Sequence, residues 1–284
     1  MTATATQAEP TQAEPTRAEP AAPPPRRRLP GEVGRGTMRG LQILLGTGLL
    51  LAWQLGAGRL IDKFMISCPL DVAARLWGWI AAGTIYMHVW ATVHATLAGF
   101  AIGAAAGVVL GLWLGLSPFA SRLLDPFLWA FNALPKVALA PLFVLWFGLG
   151  IDSKIALAAM LVVFLVFANT FAGVREVDPD LVDSLRLMRA TRAQILWRVV
   201  LPSATSWIFV GLKTAVPYAL IGTIIGEMIA ANRGLGYLVQ RSGAEFDTAG
   251  VFAALLVIAV LAVIFNEAVG RVQERLQRWK AVGR

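Results

Sequence analysis

The chain has one cysteine and two histidines among its 284 residues. A lone Cys68 excludes an internal disulfide and any CxxC metal site. His88 and His94 are too few for a histidine-rich metal site, and six residues apart on a helix they point in different directions. Charge is scarce as well: 15% of residues are charged against 57% hydrophobic, and the mean hydropathy of +0.66 is too high for an ordinary soluble domain. No cluster of His, Asp and Glu falls within the apolar stretches, so a membrane-embedded enzyme would lack its metal or acid–base groups. No GxxxxGK[ST] phosphate loop occurs, which excludes ATP binding of that kind by this chain. The net charge of +8 comes from basic residues gathered at the ends and in one internal segment. They do not interleave with aromatics, which argues against nucleic acid.

What is abundant is apolar sequence in long runs. Six segments stand out, at about 41–57, 86–115, 122–148, 153–174, 203–230 and 250–270, each near the roughly 20 residues a helix needs to cross a hydrocarbon core of about 30 Å. The expected fold is therefore all-α, with six transmembrane helices over residues 41–279. Residues 1–40 read as a disordered cytoplasmic tail: TQAEP, TQAEP and TRAEP repeat from Thr6, Thr11 and Thr16, then Pro23–Pro25 and Arg26–Arg28 follow. The arginines lead into an apolar stretch too long for a signal peptide. Residues 280–284 form a short C-terminal end. Between the first two segments, Val72, Leu76, Trp77 and Ile80 recur at helical spacing, predicting an amphipathic helix on the membrane surface over 69–82.

Lysines and arginines set the orientation. With the N-terminus inside, one face collects Arg26–Arg28, Arg35, Arg39, Arg122, the five arginines from Arg175 to Arg198 and the basic C-terminal end. The other face receives only Arg59, Lys63, Arg75, Lys154, Arg233 and Arg241. Both termini are expected in the cytoplasm, and Cys68 in an outer loop.

The longest cytoplasmic stretch inside the membrane domain is 177–202, VDPDLVDSLRLMRATRAQILWRVVLP. Leu181, Leu185, Met188, Ile195, Leu196 and Val199 recur among charged residues, predicting an amphipathic helix broken near Ala190-Thr191. Such a helix has two uses: docking its apolar face in a groove of another protein, or lying flat on lipid. The segment resembles the EAA loop of ATP-binding-cassette (ABC) importer permeases, in which Glu-Ala-Ala is followed after three residues by Gly and later by an aliphatic residue two before Leu-Pro. Asp183 stands in the Glu position, Ser184 and Leu185 in the Ala positions, Arg189 in the Gly position and Val199 in the aliphatic one, and Leu201-Pro202 match outright. Further matches are ALPKVALAPLFVLWFGLG from Ala133, NTFAGVREVDP from Asn169, GLGYL from Gly234 and ERLQRW ending at Trp279. Together they resemble the nitrate, taurine and alkanesulfonate branch of these permeases, which also holds bicarbonate, aromatic-acid and thiamine-pyrimidine importers. The likeness runs from about Leu41 to Trp279. It is weakest at His88 to Phe100, where Ser-Leu-x-Arg is replaced by Thr92-Val93-His94-Ala95.

That resemblance implies a multi-pass permease of the bacterial inner membrane, moving a small solute, expected to be an organic or inorganic anion, by alternating access. It implies cytoplasmic ABC ATPase subunits that bind ATP and Mg, an external solute-binding protein, and a second permease copy. No cofactor is expected on this chain. The ATPase contact would fall on Asp183, Ser184, Leu185, Arg186, Met188, Arg189, Ala190, Leu201 and Pro202. A passive channel or ion-driven carrier is the competing reading; it needs no coupling loop and often shows inverted repeats, which are not evident here.

Polar groups at membrane depth mark cavities or partners, and Lys136, Asn132, Lys213 and Glu227 are the candidates for a substrate pathway. Lys136, between Pro135 and Pro141, suits a pathway carrying an anion; the simpler expectation is that it pairs with Glu227, taken as the one acidic group in the spans, or snorkels. Lys213 reads as a structural partner, and Asn132 and Asn169 as interhelical hydrogen-bond formers. Gly99, Gly103 and Gly107 fall four apart on one helix side and predict close helix packing. The Gly234–Tyr237 turn reads either as an outer contact or gate, or as a plain turn.

Overall fold

The computed structural model describes residues 35–276. The TQAEP repeats, the Arg26–Arg28 run and the end from Gln277, including Arg278, Trp279 and Lys280, lie outside the described residues. The described residues fall into two units that divide between Gly48 and Leu49. In the first, the described residues belong to α1 (Arg35–Gly56), so helix begins at Arg35, inside the stretch assigned to the tail. Leu41, Ile43, Leu44 and Leu45 stand exposed along it, as expected of a helix meant for lipid or for another chain.

The second unit continues with α2 (Lys63–Ile66), α3 (Pro69–Ala81), α4 (Thr84–Leu116), α5 (Pro118–Ala133), a single 3₁₀ turn (Lys136–Leu139) and α6 (Ala140–Phe147). Then follow α7 (Ile151–Arg175), α8 (Pro179–Leu187), α9 (Arg192–Ile195), a π turn (Leu196–Val200), α10 (Leu201–Ala230), α11 (Leu235–Ala244) and α12 (Thr248–Leu276). No β-strand occurs among the described residues, only an isolated bridge between Ala57 and Ile61.

Among the described residues, four helical runs are long and apolar enough to cross a membrane: Thr84–Leu116, Ile151–Arg175, Arg192–Ala230 and Thr248–Leu276. Each brackets one of the expected segments. The third expected segment is not one rod: α5 and the helical stretch Lys136–Phe147 meet at 82° and form, at most, one broken span. The physical reason is Pro135, which disfavours helical backbone in the residue before it; Leu134 is accordingly extended (φ −66°, ψ 135°). Lys136 therefore sits at a corner, not midway along a helix. Gly148, at φ +77°, ends α6 and turns the chain into α7.

The core is a three-helix stack with α7 in the middle. On its α4 side, Gly99, Gly103, Gly107, Gly111 and Gly115 form a seam in which a Cβ would stand 2.6–2.8 Å from α7 atoms. Such distances are impossible for real side chains, so only glycine permits this approach. On its α10 side, a Cβ on Gly222 would fall 2.8 Å from Ala158 Cα, and one on Gly211 2.9 Å from Asn169 Cβ. Val162, Val166, Ala215 and Ala219 fill the space between. A second cluster of Ile85, Leu235, Leu238 and Ala254 joins α4, α11 and α12. Trp79 and Ile80 of α3 pack against it, so part of the apolar face expected to lie on lipid is covered by the chain itself, while Leu70 and Trp77 stay exposed.

Candidate functional site

The coupling segment hangs between the ends of α7 and α10. Asp178 caps α8, its carboxylate accepting from the Asp180 N–H at 2.9 Å, and Pro179 occupies the first turn, where its missing N–H costs nothing. The other end closes as a Schellman motif: Ala190 N–H donates to Leu185 O and Arg189 N–H to Arg186 O, both at 2.9 Å. That motif needs a left-handed residue, and Arg189 takes it at φ +58°. The next helix restarts at once through a capping box, in which Thr191 Oγ1 accepts from Gln194 N–H at 3.3 Å and the Gln194 side chain accepts from Thr191 N–H at 2.7 Å. The break expected near Ala190-Thr191 is thus this turn.

The helix has two apolar faces. Val182, Leu185 and Ala190 pack inward on Val174, Ile195, Val200 and Ala204. Leu185 and Ala190, both expected in the ATPase contact, therefore hold the segment to its own chain, and the apolar face that the sequence offered to another protein or to lipid is in part covered from within. Outward stand Leu181, Leu187 and Met188, the last two 86% and 77% exposed. Asp183, Ser184 and Arg189 are exposed as well, with Arg186 Nη1 donating to Asp183 Oδ1 at 3.0 Å. Leu201 and Pro202 are half-buried at the start of α10. Leu187 escaped the sequence reading, which followed the apolar positions Leu181, Leu185 and Met188 alone.

The polar residues of the spans do not come together at one site. Glu227 is buried near the end of α10 far from the coupling segment. It accepts from Thr92 Oγ1 at 2.8 Å and from Gly236 N–H at 2.8 Å. Thr92 Oγ1 in turn accepts from Leu235 N–H at 2.8 Å, and His88 Nδ1 from Gly234 N–H at 3.1 Å. Three consecutive backbone donors at the start of α11 are thus met by buried side chains, the carboxylate among them favoured by the helix N-terminus. The Gly234–Tyr237 turn is therefore clamped, with Gly234 at φ +119°. Lys154, counted among the cations of the outer face, is buried beside it and donates to Leu149 O at 2.7 Å and to Ala230 O. His88, Thr92 and Lys154 were missed as partners; a hydroxyl at Thr92, where the resembling family has Ser, was the available signal.

Lys136 does not pair with Glu227. Its ammonium donates to Asn132 O at 3.0 Å and lies 4.6 Å above the centre of the Phe164 ring. Asn132, exposed, lines a groove of ≈ 190 Å³ with Asp125, Leu128, Phe164, Phe167, Ala168 and Phe171. Asp125, like Glu267 on α12, also lies within an apolar segment, so Glu227 is not the sole acidic group there. Phe164, Phe167 and Phe171 contact one another in sequence at 6.3 and 5.9 Å, and Arg175 lies 5.5 Å from the Phe171 ring. Lys213 is exposed elsewhere, its Cε 3.6 Å from where a Cβ on Gly270 would stand. Asn169 donates to Leu165 O at 2.8 Å within its own helix, not across helices.

This geometry has relatives. The model of the family described as binding-protein-dependent transport system inner membrane component matches residues 107–279. The formylaminopyrimidine transport permease protein of Halalkalibacterium halodurans is 33% identical over 232 residues, covering 82% of this chain and 92% of its own length. The riboflavin transport system permease protein of Chloroflexus aurantiacus is 36% identical over 234 residues (82% and 87%), and the taurine transport system permease protein of Escherichia coli 31% identical over 249 residues (84% and 90%). Among solved structures, the inward-facing MetNI methionine ABC transporter aligns with a TM-score of 0.60 over 67% of this chain and 95% of that one at 19% identity, a likeness of fold.

Proposed function

The chain belongs to the family of binding-protein-dependent transport system inner membrane components, and from that premise we propose that a cytoplasmic ABC ATPase grips the outward face of α8. The chain is a multi-pass permease subunit of an ABC importer for a small solute. One observation carries the ATPase contact: a capped helix, anchored by Val182 and Leu185, that turns Asp183, Leu187 and Met188 to solvent between two spans. An anchored helix with a mixed apolar and charged outer face suits a groove on a partner better than an unordered approach to lipid.

The ATPase supplies ATP and Mg binding; an external binding protein delivers solute to the opposite face, where α11 lies. A second copy of this chain completes the permease, since one coupling segment serves one ATPase and closed two-fold pairs are the commonest arrangement. Both termini and α8 face the cytoplasm. Relatives move a formylaminopyrimidine, riboflavin and taurine by their names; a small anion, or a polar solute with anionic character, fits Lys136 beside the groove.

Asp183→Arg tests the contact. It replaces an exposed Asp183–Arg186 pair within the chain by two like charges and brings a cation to the docking face where the partner meets a carboxylate, and such a mispaired charge is expected to weaken ATPase binding by several kcal/mol. The ATPase should no longer co-purify although the permease reaches the membrane in normal amount, and native mass spectrometry of the unaltered complex should show two copies of this chain. Normal co-purification and transport by the variant would refute the contact.

A further inference from the structure

Lys213 lies within the apolar run of α10, and among the described residues its ammonium has no hydrogen bond and no ion pair. It is received by a notch on α12: Gly270 has no side chain, and a Cβ there would stand 3.6 Å from Lys213 Cε and 3.7 Å from Nζ. The charges flanking that glycine, Glu267 and Arg271, pair with each other, Arg271 Nε donating to Glu267 Oε1 at 3.1 Å. The three groups together keep one net positive charge. A cation left in a span is costly unless an anion or water meets it.

Beside Lys213 a cleft of ≈ 80 Å³ opens between α4 and α12, both of which pack on α10. Leu97 and Phe100 form one wall, Phe265 and Val269 the other, and Val216 and Ala219 of α10 the floor. No charged residue lines it, and the Thr96 hydroxyl that borders it donates to Thr223 Oγ1 at 3.1 Å. Gly270 lies about 33 Å along α12 from its start at Thr248, and Lys213 about 26 Å along α10 from its end at Ala230. Against a hydrocarbon core of about 30 Å, both fall where lipid phosphates lie on the side of the coupling segment.

We propose that this cleft binds an anionic glycerophospholipid, with one acyl chain between α4 and α12 and the phosphate on Lys213. A zwitterionic lipid would bring its own ammonium to a corner that already has a positive excess, whereas basic positions between spans attract anionic headgroups. A helix of a second copy, about 10 Å across, is too wide for the cleft. The bound lipid bridges α10, which leads out of the coupling segment, to α12. The assignment needs only that α4, α10 and α12 cross a membrane, and it stands whether or not an ATPase grips α8.

The test uses the permease complex in detergent, stripped of lipid, and three probes: phosphatidylglycerol, phosphatidylcholine with the same chains, and inorganic phosphate. Native mass spectrometry should show phosphatidylglycerol retained about fivefold over phosphatidylcholine, the weight of roughly one basic residue at an anionic surface. Lys213→Met should erase that preference and Lys213→Arg should keep it. A phosphatidylglycerol with a diazirine midway along one chain should attach to the 97–100 or 265–269 peptide of the unaltered complex, a readout independent of how the variants fold. Equal retention of the two lipids, a preference that survives Lys213→Met, or attachment elsewhere would overturn the assignment. So would full displacement of the lipid by inorganic phosphate, which would mean a site for a free anion. A disulfide between two copies through Ala268→Cys in a Cys68→Ser background would overturn it as well, since a second copy would then fill the cleft.

Discussion

Arg189 holds a left-handed backbone where a side chain costs roughly 1–2 kcal/mol and glycine almost nothing. The turn is needed because the Schellman bonds to Leu185 and Arg186 close α8 and free the chain to restart at Thr191. Arg189→Gly should therefore stabilise the solubilised permease by about 1 kcal/mol, seen as a rise of about 2–4 °C in thermal unfolding. An unchanged or lower midpoint would show that the arginine side chain makes compensating contacts. At the other end of α10, Thr92 is the pivot of the clamp, since its hydroxyl serves both Glu227 and Leu235 N–H. Thr92→Val should leave a buried donor unmet and cost about 1–3 kcal/mol, with Thr92→Ser restoring most of it. Limited proteolysis of the 231–247 connection would report the loosening, and equal resistance in Thr92→Val and the native protein would count against the clamp.

The elements differ in how far the sequence announced them. Apolar length sufficed for α4, α7, α10 and α12, because a helix apolar on every side has few alternatives to a membrane. Pro135 and Pro141 were visible too, but whether they kink a rod or fold it back at 82° depends on what α5 and α6 pack against. The candidate site was legible as a segment and not as a surface. Leu185 and Leu187 are equally apolar in sequence, and only the core of Val174, Ile195, Val200 and Ala204 decides which of them turns inward. Likewise Glu227 and Lys136 were natural partners by charge, yet Thr92 reaches Glu227 from α4, 135 residues away, and Gly236 from the next helix, nine residues on. The glycines of α4 separate two cases in one residue type. A Cβ on Gly103 would stand 2.6 Å from Ala159 O and 2.7 Å from Val162 Cβ, whereas one on Gly78 of α3 meets nothing within 4 Å. Gly103→Val should abolish the folded yield in detergent, while Gly78→Ala should leave it unchanged or improve it. Comparable yields from both would mean that α4 can move away from α7 at little cost.

For the whole molecule, the arrangement of α7 and α10 puts the coupling segment and the Glu227 clamp at opposite ends of the same two rods. Orientation can then be read from a single exposed position near the clamp end. Cys68 is a poor choice: it is 1% exposed, so reagent access would fail on either face. Leu60 is 87% exposed, and in a Cys68→Ser background Leu60→Cys should react with a membrane-impermeant maleimide on intact spheroplasts. Reaction only after the membrane is opened would invert the topology.

The glycine seam also bears on biogenesis. α4 and α7 leave the ribosome before the coupling segment and α10, and Ala230 follows Arg175 by roughly 55 residues, several seconds of synthesis at about 5–20 residues per second. Through that interval one flank of α7, cut with small residues to receive α10, faces whatever the insertion machinery offers in place of its absent neighbour. A nascent α4–α7 pair that can close before its third member exists gives the chain an order of assembly, and slowing translation between Arg175 and Ala230 would prolong the half-built state in which this permease is most exposed to degradation.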